Sequence, residues 1–250
     1  MGRSTMTVLM ELITLTVVLT AFICVFTLEV IAPASKNSCD RRWLFMASGI
    51  SLFQSVSTIG VGLVFVELFR SISLLSFGES NVLVQGVIGF LLTSFIAYWW
   101  HRAMHRFDFL WRIFHQLHHS PKRIEALTAF YMHPFDGVAA TFLNGLCCYL
   151  ILGLNAYGTG VSLILAALYN IFIHADLKTP YWLGFVLQRP EMHRVHHKFM
   201  HHAQNYGFSV WDLLFGTFCN PKEYVTNVGF DETRAARVYD MLKTKDVHKT

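Results

Sequence analysis

Five apolar runs, parted by short polar segments, constrain this chain more than any other feature. They cover residues 7–32, 43–69, 82–100, 137–154 and 161–173. A helix needs about 20 apolar residues to cross a hydrocarbon core of roughly 30 Å. The first three runs meet that length, the first of them interrupted only by Glu11 and Glu29. The last two are short enough for a hairpin that dips in and returns, or for two tilted spans. A secretory leader is the rival for residues 7–32, but the run exceeds a leader's apolar region and shows no clear small-residue cleavage site. Composition agrees: 54% of residues are hydrophobic and 14% charged, where a soluble domain carries about 25% charged residues. Mean hydropathy is +0.42. The expected fold is all-α: a multi-span integral membrane helical bundle of about four spans, or three plus a re-entrant hairpin.

The net charge of +4 reads as membrane topology, with no nucleic-acid partner. If residues 33–42, 101–136 and everything after 174 share one side, that side holds 18 of the 20 lysines and arginines, leaving Arg3 and Arg70 opposite. Such a bias marks the cytoplasmic face. It divides the chain into N-terminal membrane helices (1–81), a central region (82–222) and a polar C-terminal tail (223–250). The five cysteines, Cys24, Cys39, Cys147, Cys148 and Cys219, form no CxxC pair and read as free thiols packing as small hydrophobes.

Thirteen histidines are present, and eight fall into three clusters: His101/His105, His115/His118/His119 and His193/His196/His197. Residues three and four apart share a helix face, so each cluster is expected to aim its imidazoles at one point. Eight such ligands are about twice what a four-coordinate site needs, which points to two metals in a helical cap. All three clusters fall on the side that the charge count makes cytoplasmic, although that count used no histidine. His174 closes an apolar run and makes a ninth candidate ligand. Asn170, His133, His201 and His202 are further candidates for the metal or its immediate support, whereas His248 in the charged tail reads as an ordinary polar residue. Metal-bound imidazoles usually donate their second N–H to a carboxylate or carbonyl. Asp136 and Asp212 are the acidic residues suited to that. Tyr98, Trp99, Trp100, Phe130 and Tyr131 could line a lipid approach or simply anchor the interface.

The order of motifs resembles the sterol desaturase / fatty acid hydroxylase superfamily, with HxxxH at His101–His105, HxxHH at His115–His119 and a final HxxHH at His193–His197. The run from His133 through Pro134 and Asp136 to Gly137 is similar to the HPxDG of sterol C5-desaturase-like members. Asn205-Tyr206-Gly207, then Trp211-Asp212 and Gly216-Thr217, resembles the family's NYG…WD…G[ST] block. The likeness covers roughly residues 82–222. Two positions depart from it: Asn170 precedes His174 where some members carry an HxxxH, and Tyr131 replaces an arginine of some members. The resemblance implies a di-iron centre on the cytosolic face, O2 as co-substrate and a lipid substrate from the bilayer. It also implies an external electron donor (cytochrome b5-, ferredoxin- or flavin-reductase-like), since no fused donor domain is visible.

Ligand type alone does not choose among iron, zinc, copper and nickel. Zinc has no redox chemistry, and a dizinc hydrolase would need assistance from a GxSxG or paired carboxylates that the chain lacks. Zinc remains possible in purified protein, and a dizinc hydrolase or a metal-binding or transport protein is the alternative. A transporter would hold its ligands near mid-membrane, and a bis-histidine cytochrome would pair histidines on facing spans. The expected activity is an O2-dependent hydroxylation or desaturation of a lipid C–H bond.

Overall fold

The computed structural model describes residues 5–35, 41–69, 72–201 and 203–249. Five helices are long and apolar enough to cross a membrane: α1 (Thr5–Ile31), α2 (Arg41–Phe69), α3 (Val82–Arg106), α4 (Pro134–Gly145, continued by a wider π-helical turn through Ile151) and α5 (Ala156–His174). The two short final runs are two full helices of 18 and 19 residues. Hydropathy under-measures them because caps set their ends. His133 caps α4, with Pro134 in its first turn, and Asn155 caps α5 by accepting from Tyr157 N and Gly158 N.

The bundle is built on α3 against α5, with α1 also on α5 and α2 on α4. Close approach of α3 to α5 requires glycine. A Cβ on Gly86 would overlap Val161, and one on Gly158 would overlap Gln85, so small residues let the backbones meet.

The loops alternate between two ends. At one end, Leu74 N and Phe77 N donate to Leu150 O and Leu152 O (2.8 and 3.1 Å), and Gln85 and Asn155 share Gly78 O. At the other, Glu29 Oε1 accepts from Ala126 N (2.8 Å) and Asp176 N (2.6 Å). Asp176 in turn accepts from Ser35 N and Oγ. Trp43 Nε1 and Arg123 Nε both donate to Glu125, each at 2.6 Å.

This second end carries a helical cap, with no strand among the described residues. Its core joins Trp111, Leu117, Leu127 and Tyr131 to Phe230, Met241 and Val247. The charged tail thus supplies three of the cap's buried side chains. Two short helices matter for the site, α6 (Pro190–His196) and α7 (Ser209–Leu214). Polar composition suggests a cap clear of the bundle, yet α7 packs on the middle of α3: Trp211 Nε1 donates to Ser94 Oγ (3.0 Å), and its ring lies 5.1 Å from Phe95.

Candidate metal centre

The eight clustered histidines and His174 come together at the cap end. They form two groups, His101, His105, His115, His119 and His196 in one, and His118, His174, His193 and His197 in the other. Within each group the potential ligand atoms lie within 4.8 Å of one another. Neither group contains a carboxylate or thiol.

The division differs from the expectation that each cluster aims at a single point. His115 and His119 face the five-histidine group while His118, between them, faces the other; His193 and His197 join the four-histidine group while His196 turns away. The same division arises in the π-helical turn and turn of residues 111–119 and in the ordinary α-helix Pro190–His196, so helix geometry is the common cause. Residues i+3 and i+4 fall on opposite sides of i, about 100° apart, and i+4 stays with i while i+3 reaches the other group. The groups touch where the His119 and His197 rings stack at 4.1 Å.

In the five-histidine group, His115 Nε2 lies 2.8 Å from His101 Nε2 and 3.1 Å from His119 Nε2, which is itself 3.1 Å from His196 Nε2. In the other, His174 Nε2 is 3.2 Å from His118 Nε2 and 2.9 Å from His193 Nε2, with His197 Nε2 a further 3.1 Å on. In five of the nine rings the opposite nitrogen is held from behind, while Nδ1 of His193 and of His197 is buried without a hydrogen-bond partner. Nδ1 of His101, His118, His174 and His196 faces the carbonyls of Tyr206 (2.6 Å), Tyr131 (3.2 Å), Asn170 (2.8 Å) and Gln204 (2.8 Å). His115 Nδ1 lies 3.4 Å from Asp136 Oδ2. With Nδ1–H donated backward, the bare Nε2 lone pair points into the group.

Burial holds His118 down to about 4, opposed by its bond to Tyr131. It holds His115, His119, His193 and His197 well below the ordinary imidazole range, with neighbouring imidazoles adding to the effect. These rings are therefore neutral near pH 7, the form that ligates.

The other residues named from sequence take supporting places. Asp212, fully buried, accepts from Tyr206 N (2.9 Å), Gly207 N (3.2 Å) and Thr217 Oγ1 (2.6 Å). It touches no histidine and acts through the loop that presents the Tyr206 carbonyl. Burial raises it to about 6. Asn170 donates to Ala129 O at 2.8 Å and offers only its carbonyl to His174. His133 accepts from Phe135 N and faces Leu242 O, outside both groups. His201 pairs with Gln204 Oε1, and His202 lies outside the described residues. Tyr98 is buried with its hydroxyl 2.8 Å from Thr217 Oγ1. Trp99 is exposed and packs on Phe215, Trp100 packs on Phe114, Phe130 on Phe22, and Tyr131 is buried on Trp43.

Two contributors escape sequence reasoning. The Tyr206 ring lies 5.4–5.5 Å from His101, His105 and His196. Gln204, like Asn205 after it, has positive φ (69° and 50°) and contributes a carbonyl, which any residue type has. The NYG motif was the only available signal, and it assigns no role.

Fold and site together define a multi-span helical membrane protein carrying two interleaved, histidine-only donor groups at one end of its bundle. The chain belongs to the fatty acid hydroxylase family, whose match covers residues 86–217. Among curated relatives, a very-long-chain aldehyde decarbonylase of Oryza sativa is 29% identical over 53% of this chain and 54% of its own. Lathosterol oxidase of Homo sapiens is 32% identical over 57% and 48%. Sphinganine C4-monooxygenase 2 of Arabidopsis thaliana is 25% identical over 87% and 88%. The chain thus spans about half the length of the first two. No solved structure matches significantly.

Proposed function

We propose that the protein is a membrane-bound di-iron oxidoreductase that hydroxylates or desaturates a lipid C–H bond with O2 and electrons from an external donor, its metal site on the cytoplasmic face. One observation carries this reading: two groups of imidazoles, five and four, seven of the nine rings buried, with ligand atoms gathered within 4.8 Å. The donor chemistry fits metal. Without one, bare lone pairs would face each other at 2.8–3.2 Å, a costly arrangement for largely buried rings. Donor number also bears on the choice: the five imidazoles of one group exceed the four donors of a tetrahedral structural zinc site.

His101, His105, His115, His119 and His196 would hold one iron, and His118, His174, His193 and His197 the other. The irons supply O2 activation and oxidation of an unactivated C–H bond, beyond the reach of amino-acid side chains. The chain supplies geometry: the backbone carbonyls of Tyr206, Tyr131, Asn170 and Gln204 orient ligands, Asp136 does so for His115, and Asp212 fixes the loop bearing Tyr206. The apolar helices beneath give a lipid its route. The relatives' names, covering lathosterol, sphinganine and very-long-chain aldehydes, support a lipid substrate.

The test is to purify the chain in detergent, quantify iron and zinc per chain, and compare the lipids of cells carrying wild type or His118→Ala. About two irons, and loss of an oxidised lipid in the variant, are expected. Stoichiometric zinc with unchanged lipids overturns the reading.

A further inference from the structure

A cleft of about 450 Å³ opens beside the five-histidine group, walled by Trp99, Arg102, His105, Arg106, Phe107 and Tyr206. His105 and Tyr206 join it directly to the candidate metal centre. Arg102 and Arg106 lie four apart on α3, on one helix face about 5–6 Å apart, beside the face that carries His101 and His105.

Arginine at the end of a span ordinarily snorkels into water with its head free. Arg102 is held instead. It donates to the Tyr98 hydroxyl (3.2 Å), and its guanidinium carbon lies 5.1 Å from the Trp99 ring and 5.9 Å from the Tyr206 ring. Among the described residues no carboxylate lies within ion-pairing distance of Arg102 or Arg106. Asp212, whose charge Arg102 feels, is already engaged by Tyr206 N, Gly207 N and Thr217. The cleft therefore offers two cations without a carboxylate partner, Arg102 fixed by aromatic walls and Arg106 exposed one turn on, at the level where α3 leaves its apolar stretch. That chemistry suits an anion joined to an apolar body.

We propose that this cleft clamps the anionic headgroup, phosphate or carboxylate, of the lipid substrate through Arg102 and Arg106. This rests on the lipid-oxidation reading above. The clamp and His105 share the cleft, so the bound headgroup lies beside the five-histidine group.

The test uses the full chain in a neutral detergent and reads binding, not turnover. The probes are dihexanoyl phosphatidate, dihexanoyl phosphatidylcholine and inorganic phosphate. A second basic cleft of about 470 Å³, lined by Lys178, Arg189 and Lys222 among others, serves as the control. Phosphatidate is expected to bind at least tenfold more tightly than either other probe. R102Q/R106Q is expected to abolish that preference, R102K/R106K to keep most of it, and K178Q/K222Q to leave it intact. Equal binding of phosphatidate and phosphatidylcholine overturns the clamp, as does loss of preference only in K178Q/K222Q. Inorganic phosphate binding as tightly as phosphatidate would make this a free-anion site and overturn the lipid assignment. Should R102Q/R106Q misfold, R106Q alone decides: its side chain is exposed, and unchanged phosphatidate affinity refutes the proposal. A protein that binds phosphatidate through these arginines yet carries no iron and oxidises nothing refutes the proposed function and leaves the clamp standing.

Discussion

Glu29 gives the sharpest test of how the bundle holds the site. Its carboxylate is buried near the end of α1, and Oε1 alone accepts both Ala126 N (2.8 Å) and Asp176 N (2.6 Å). Oε2 is buried without a partner. One oxygen thus joins the first helix to the segment before Tyr131 and to the residue two after His174. Glu29→Ala would strand two buried N–H groups, each costing about 1–3 kcal/mol, for a total of roughly 2–6 kcal/mol. Glu29→Gln keeps the accepting oxygen and places its amide where Oε2 has no partner. It also removes a charge that is expensive to bury. The glutamine variant should therefore match or exceed the wild type. At about 2–4 °C per kcal/mol for a chain of this size, alanine should lower the midpoint by at least about 4 °C. Thermal denaturation in detergent, followed by the monodisperse fraction on size exclusion, reads both variants, and metal content reads the consequence at His174. If glutamine destabilises as much as alanine, the carboxylate acts through its charge and the hydrogen-bond argument fails.

Three other outcomes follow from the same structure. His118→Ala leaves three donors in its group and His119→Ala leaves four; after chelator challenge the first should retain about one metal per chain and the second two, and equal loss from both would mean that the groups are not separate. Gly86→Ala forces a methyl into Val161 and should cost about 1–3 kcal/mol in thermal stability, whereas a midpoint within about 1 °C of wild type refutes the close α3–α5 contact. Burial lifts Asp212 from 3.8 to about 6, so its contribution to folding is fullest below its unfolded value and is lost as pH rises through 6. The melting temperature of wild type relative to Asp212→Asn should accordingly rise as pH falls from 7 to 5, and a flat difference contradicts the buried-carboxylate account.

Much of the site is legible because ligands of this kind violate the pattern around them. Histidines at i, i+3 and i+4 next to apolar runs stand out, and the eight picked that way, with His174 picked at the close of an apolar run, are the nine that the structure brings into the two groups. Their partition is not legible. Spacing puts i, i+3 and i+4 on one broad face but does not say whether i+3 and i+4, about 100° apart, meet one ion or two. Both HxxHH segments divide that way, one of them on an ordinary α-helix. The ring supports are hidden for another reason: the carbonyls of Tyr206, Tyr131, Asn170 and Gln204 belong to the backbone. The tail misleads through averaging. Phe230, Met241 and Val247 are few among charged neighbours, yet all three reach the cap core.

The interleaving explains why the bundle beneath the site has to be tightly packed. α3 supplies donors only to the five-histidine group, and α5 only to the other; each HxxHH segment supplies both. Separation of the groups is therefore set by how closely α3 and α5 approach, with the HxxHH segments bridging whatever gap those helices leave. The approach is set at Gly86 and Gly158, and Gly86 lies about 22 Å along α3 from His101 at 1.5 Å per residue. Both helices are anchored again nearer the cap, α5 just past the site through Asp176 on Glu29 and α3 at its middle through Ser94 on Trp211. A change that spreads the pair at the glycine end, opposite the cap, should then alter how His101 and His105 sit against His174. The His119–His197 stack at 4.1 Å, where the groups meet, is the contact that would report the spread first.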